Sequence, residues 1–137
     1  MSRVGRVWDF FRSVSADPWW ARPSAAEERG IQLLKRNLSL AQLKQYENRR
    51  YFDVIRGISG QRYRVRHGCL RNVDLVDKDG RPSSTLCFMP EGHLAIGDVM
   101  LAQKIALELF ESETLTVANR TPVWGSISKV VRRDYRL

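Results

Sequence analysis

The chain has 137 residues, long enough to close one hydrophobic core without a disulfide or a metal. Apolar residues make up 43% and charged residues 28%, and four Trp, four Tyr and five Phe supply large core groups, which excludes wholesale disorder. A formal charge of +8, spread along the chain instead of gathered in one block, biases the protein toward acidic partners without choosing among them.

The first 23 residues read as an aromatic-rich arm. Val7, Trp8, Phe10, Phe11 and Val14 fit a short amphipathic helix, which Pro18 and the pair Trp19-Trp20 interrupt. Basic and acidic residues stand in MSRVGRVWDFFRS where a secretory signal would carry an apolar core. No run reaches the roughly 18 apolar residues of a membrane-crossing helix. A cytoplasmic protein without a transmembrane segment is expected.

A compact domain is expected over 24–120. After Pro23, Ser24 and Glu27 have the spacing of a capping box, and Ile31, Leu34 and Leu38 supply an apolar stripe, which predicts a helix over about 25–37. Ser39 and Gln42 repeat the signal before Leu43 and Tyr46 and predict a second short helix. Lys44, Arg49 and Arg50 would form its basic outer side.

From Tyr51 the period changes from helical to alternating. Tyr51–Ile55 reads as a strand, Gly57 to Gly60 as a turn, and 61–66 as a second strand. Period two places Tyr63 and Val65 on one face and Arg62, Arg64 and Arg66 on the other. Val73 and Leu75 mark a third strand, Asp79-Gly80 a hairpin turn, and Thr85 to Phe88 a fourth strand stopped by Pro90.

Residues 94–111 carry the strongest helical pattern, with Val99, Ala102, Ile105, Ala106, Leu109 and Phe110 on a broad apolar face expected to cover the sheet. The predicted fold is α+β: a four-stranded antiparallel meander packed against a long helix in the C-terminal half and preceded by short helices. Arg120 to Ser126 reads as a boundary or turn, and 121–137 as a basic extension containing Trp124, Arg132, Arg133 and Tyr135.

The block Gly60 to Gly68 (GQRYRVRHG), with Asn72-Val73, Leu86 to Gly92 (LCFMPEG) and Gly97 to Glu108 (GDVMLAQKIALE), resembles an uncharacterised family of small bacterial proteins. The resemblance covers roughly residues 38–120. It implies a coherent domain and assigns no role to any residue.

Arg62, Arg64 and Arg66 form the leading binding candidate. Guanidiniums on one strand face recur every 6–7 Å or so, a spacing suited to phosphates or a carboxylate-rich surface. The plain alternative is a solvated face balanced by Asp74, Asp77 and Asp79. Tyr63 on the opposite face cannot stack bases beside those cations, which counts against single-stranded nucleic acid.

His67, Cys69, Cys87 and His93 are suitable zinc ligands by type, but their spacing matches no paired zinc knuckle, so no metal and no cofactor is assigned. The two cysteines read as small buried hydrophobes. Gly57-Ile58-Ser59-Gly60 lacks the Lys-Ser or Lys-Thr of a phosphate loop, and no residue is marked as catalytic.

The expectation is a protein-binding or adaptor module that uses basic and aromatic surfaces, namely Arg62, Arg64, Arg66, Trp8, Trp19, Trp20, Trp124, Arg132 and Arg133, to meet an acidic or mixed-surface protein. Nonspecific nucleic-acid binding through the arginine face and basic tail is the alternative, and an enzyme of unknown reaction type the third.

Overall fold

A computed structural model describes residues 23–57 and 59–123. The arm residues Trp8, Trp19 and Trp20 and the tail residues Trp124, Arg132 and Arg133 lie outside the described residues. Within them the chain runs as helices α1 (Ala25–Arg36) and α2 (Leu40–Arg49), strands β1 (Tyr51–Ile55), β2 (Arg62–Arg66), β3 (Val73–Val76) and β4 (Pro82–Cys87), helices α3 (Ile96–Leu109) and α4 (Glu111–Val117), and strand β5 (Asn119–Pro122). This is the expected α+β fold: an antiparallel sheet under a longer helix, with shorter helices before it.

The strands pair in chain order, β1-β2-β3-β4-β5, each antiparallel to its neighbour. Glycine shapes the β3–β4 hairpin as the sequence predicts: Gly80 adopts φ +78°, and the Asp77 carboxylate accepts from the amides of Asp79 and Arg81. The meander is one strand longer than expected. Asn119–Pro122 pairs with β4 where the sequence suggested a turn, because an exposed polar edge strand carries no hydrophobic alternation to announce it. Its proline sits at the strand's end on the outer edge, where a missing amide costs no ladder bond.

The opposite edge is covered. Gln42 donates from Nε2 to the Asp53 carbonyl at 3.0 Å, and the Asp53 amide donates to Gln45 Oε1 at 2.9 Å. Two glutamines of α2 thus stand in for the strand that β1 lacks.

Helix starts follow the capping signals with one departure. Ser39 and Gln42 form a reciprocal box at α2. Ser24 accepts from the Glu27 amide, but the Glu27 carboxylate turns away and accepts from the Ile96 amide at 3.0 Å. Glu27 therefore caps α3, whose own N-cap, Ala95, has no side-chain acceptor.

The core lies between the sheet and the helices. Leu34, Tyr46, Phe52, Val54, Tyr63, Val65, Val73, Leu86, Met100 and Leu107 form one buried cluster. Tyr63 and Val65 point into it, as the alternation predicts.

The face that α3 turns to the core differs from the expected one. Val99, Met100, Gln103 and Leu107 are buried, whereas Ile105, Leu109 and Phe110 are exposed. The reason is that α3 is apolar nearly all round, so its sequence pattern leaves the rotation about its axis open. Gln103 settles it. Its amide exchanges hydrogen bonds with Asn72 at 2.8 and 2.9 Å and donates to the Phe88 carbonyl at 2.9 Å.

Helix α1 crosses α3 at glycine. A Cβ on Gly97 would sit 2.2 Å from the Gly30 carbonyl carbon and oxygen, so the two backbones touch directly. A Cβ on Gly30 would meet only the Ala95 Cβ closely, at 2.9 Å. Gly97→Ala should cost about 1–3 kcal/mol through forced separation of the helices, larger than the gain of about 1 kcal/mol in helix propensity. Gly30→Ala should cost less, because a side-chain methyl yields more readily than backbone. Urea midpoints of the two variants measure the order, and equal midpoints would contradict it.

Candidate interaction surfaces

The arginine row occupies the outer face of the sheet, but two of its three members are already engaged. In register, Asp53, Arg64, Asp74 and Thr85 form a polar rung across β1 to β4. Arg64 donates to both Asp53 oxygens at 2.9 and 3.2 Å, and Arg66 to both Asp74 oxygens at 2.8 and 3.2 Å. Thr85 adds a third bond to Asp74. The bidentate fit is the geometry in which guanidinium binds carboxylate best, so these two arginines hold the sheet's own acids.

Tyr51 belongs to the same face. The Arg64 guanidinium lies 4.2 Å from its ring centroid, and Arg49 donates to its hydroxyl. The hydrogen bond to Asp53, helped by the nearby ring and carboxylates, raises the Arg64 pKa against the effect of burial. Tyr51 stands opposite Arg66 once β1 and β2 pair, which brings its ring beside Arg64.

Arg62 differs from its neighbours. It stands across from Ile55 and Val76 and forms no ion pair among the described residues. Two open depressions flank it, one bordered by Ser39, Gln42, Gln45 and Asp53, the other by Ser59, Gln61, Asp77 and Lys78. The balance by Asp74 anticipated from sequence is present, and Asp53 joins it.

His67, Cys69, Cys87 and His93 do not converge: no group of three metal-ligating side chains forms among the described residues. His67 Nδ1 is 2.9 Å from the Tyr46 hydroxyl. Burial, with a smaller push from Arg50, lowers the His67 pKa. Both cysteines are free and half-buried, more open than the buried hydrophobes expected.

A second polar group was not foreseen. Tyr63 donates to Glu111 at 2.6 Å, Arg56 pairs with the same carboxylate at 3.3 Å and donates to the Glu108 carbonyl, and Arg120 donates to Ser84 on the same side of the sheet. Burial and the Glu111 hydrogen bond push the Tyr63 pKa up, so the hydroxyl stays protonated as the donor. Glu111 thereby joins α4 to Tyr63 of β2 and to Arg56 just past β1, while the Arg120–Ser84 bond ties β5 to β4. Their long chain separation hid them.

Several large apolar side chains are exposed on α3 and α4 and at the junction between them. Ile105, Leu109 and Phe110 are 41%, 65% and 54% exposed, and Leu115 and Val117 of α4 are exposed as well. Leu101, one turn before Ile105, is half-buried and packs against the core cluster. Exposed apolar groups that lie close together mark contact sites, whereas singly scattered leucines do not. Among the described residues no helix is long and apolar enough to cross a membrane. Comparison with protein-family models, with curated proteins and with solved structures finds no match.

The pairing pattern separates the three arginines in stability. Arg64→Gln should cost about 1–3 kcal/mol, because it leaves the poorly exposed Asp53 carboxylate without its partner. Arg62→Gln should stay within about 0.5 kcal/mol of the parent. Chemical denaturation of both variants reads the contrast, and equal losses would show that Arg64 is not held as described.

His67 sets a pH dependence. Its folded pKa lies below the ordinary 6.5, so the unfolded chain takes up the proton more readily. The stability it contributes is complete above pH 6.5 and is lost as pH falls through the lower folded value. His67→Gln should therefore flatten the decline in urea midpoint between neutrality and pH about 5. A variant as acid-sensitive as the parent would place the titration elsewhere.

Proposed function

We propose that the protein is a protein-interaction module whose contact surface is the outer side of α3 and α4. The observation that carries the reading is the run of exposed apolar residues Ile105, Leu109, Phe110, Leu115 and Val117 on two consecutive helices. Leaving them in water forgoes roughly 25 cal/mol for each Å² of apolar area, which docking against another apolar surface recovers. The overall positive charge favours a protein partner with acidic or mixed surroundings. Arg56, drawn to the Glu108 carbonyl and Glu111 carboxylate, lies next to the helix junction and keeps one basic group at its border.

Phosphate-backbone binding by the arginine face has less support. Arg64 and Arg66 would have to leave Asp53 and Asp74, and the two carboxylates would then face the incoming phosphates. Cytoplasmic residence agrees with this reading and adds nothing to its geometry.

A photo-crosslinking amino acid placed at Ile105 or Leu109 in the full chain, and separately at Arg62, tests the proposal in cells. Nuclease-resistant protein adducts should form from the helix positions and not from Arg62. Adducts confined to Arg62, and lost after nuclease treatment, would favour the nucleic-acid alternative and overturn it.

A further inference from the structure

We infer that residues 110–123, which carry α4 and β5, form a strap that opens from the sheet as one unit, hinged at Phe110 and latched by Glu111. Burial along the segment is the first ground. Only Thr114 is buried, and Glu111, Ala118 and Val123 are half-buried, while every other residue of the strap is exposed. Among its apolar residues, Ala118 alone packs against the core cluster. Local stability follows buried apolar contact, so an element that lacks it opens at a lower free energy than the core.

The strap is held instead by polar contacts at a few points. Glu111 accepts from the Tyr63 hydroxyl at 2.6 Å and from the Ser59 hydroxyl at 3.4 Å, and it pairs with Arg56 at 3.3 Å. The Thr114 hydroxyl donates to the Ala106 carbonyl at 3.2 Å. Farther along, β5 contributes its ladder with β4, and Arg120 donates to Ser84 at 2.9 Å.

The geometry makes these contacts one unit. Ala118 is the sole residue between α4 and β5, so neither element can move far while the other is held. Phe110 leaves the helical conformation between α3 and α4, with φ −131° and ψ 42°, and its side chain is 54% exposed. Turning at Phe110 therefore drags no core group. Helix α3 stays behind, anchored by the buried Met100, Gln103 and Leu107.

Opening leaves β4 as the last strand of the sheet, with unpaired backbone groups along its outer side. Such an edge can pair with another strand. The closed strap replaces it with β5, an exposed polar strand that ends in proline and offers a poorer template.

Residue-resolved hydrogen exchange of the full chain tests this. The amides of Thr114 and Ala118, which donate to Phe110 and Thr114, and those bonded across β4 and β5 should share one protection factor. That factor should be at least about tenfold below the value in β2. Glu111→Ala should accelerate all of these amides about tenfold, because it removes a hydrogen bond and an ion pair that exist only in the closed form. Tyr63→Phe, which leaves Glu111 its pair with Arg56, should act in the same direction by a smaller factor.

Gly97→Ala, near the opposite end of α3, separates local from global opening. It should lower the protection of β2 about fivefold or more and leave the strap within about twofold of the parent, since the core stays folded when the strap opens. Ile31→Ala serves as a milder core variant if Gly97→Ala does not fold. Strap amides as well protected as β2, and lowered equally by the core variant, would mean release only with the whole domain and would overturn the inference. Unrelated exchange rates at Thr114, Ala118 and the ladder would do the same, as would a strap indifferent to both Glu111→Ala and Tyr63→Phe.

Discussion

The orientation of α3 depends on one buried amide pair. Its helix offers apolar side chains in almost every direction, so hydrophobic burial alone would reward several rotations about equally. Gln103 breaks that degeneracy: its side chain is almost wholly buried and finds three hydrogen bonds, two with Asn72 and one with the Phe88 carbonyl. Rotating the helix by one position would strand both amides away from water, at a cost of about 1–3 kcal/mol for each unsatisfied group. A single polar residue therefore decides which apolar residues become core and which become surface.

The consequence reaches beyond α3. Asn72 also donates to the carbonyls of Arg66 and Gly68, so the amide pair fixes the β2–β3 connection along with the helix. Glu27 then closes the N-terminal end of α3 from α1, and the Gly30–Gly97 contact sets how closely α1 lies against it. At the far end Glu111 joins α4 to Tyr63 of the sheet. Polar contacts at the two ends and the middle define the frame within which Met100 and Leu107 pack.

How much of this was legible in the sequence follows from the range of each interaction. The caps at Ser24 and Ser39, the alternation of Tyr63 and Val65 with the arginines, and the turn at Asp79-Gly80 all depend on residues within a few positions of one another. Those features are readable without knowing the fold. Glu27 shows the limit: its local spacing fits a box with Ser24, yet its carboxylate reaches Ile96. β5 escaped because its residues are polar and fully exposed, and its only sign is a partner more than thirty positions away. The arginine face and its balance by Asp74 were legible, whereas the Asp53 pairing was not, because Asp53 comes opposite Arg64 only once β1 and β2 are in register.

The two large surfaces of the protein consequently differ in kind. On the sheet, charge is high but largely spent: each acid lies against an arginine, and an incoming anion must compete with a carboxylate already held in bidentate geometry. On α3 and α4, the exposed groups have no competing partner within the described residues, and water is the only alternative to contact. Desolvating paired charges returns little net free energy, whereas covering apolar area returns it in proportion to the area removed from water. The helical side is thus the surface with the larger free energy to gain on contact, although the sheet carries the more conspicuous sequence signal. Net positive charge acts on top of this difference as a long-range term, setting which partners approach and how salt alters the encounter, while the apolar residues of α3 and α4 set how long they stay.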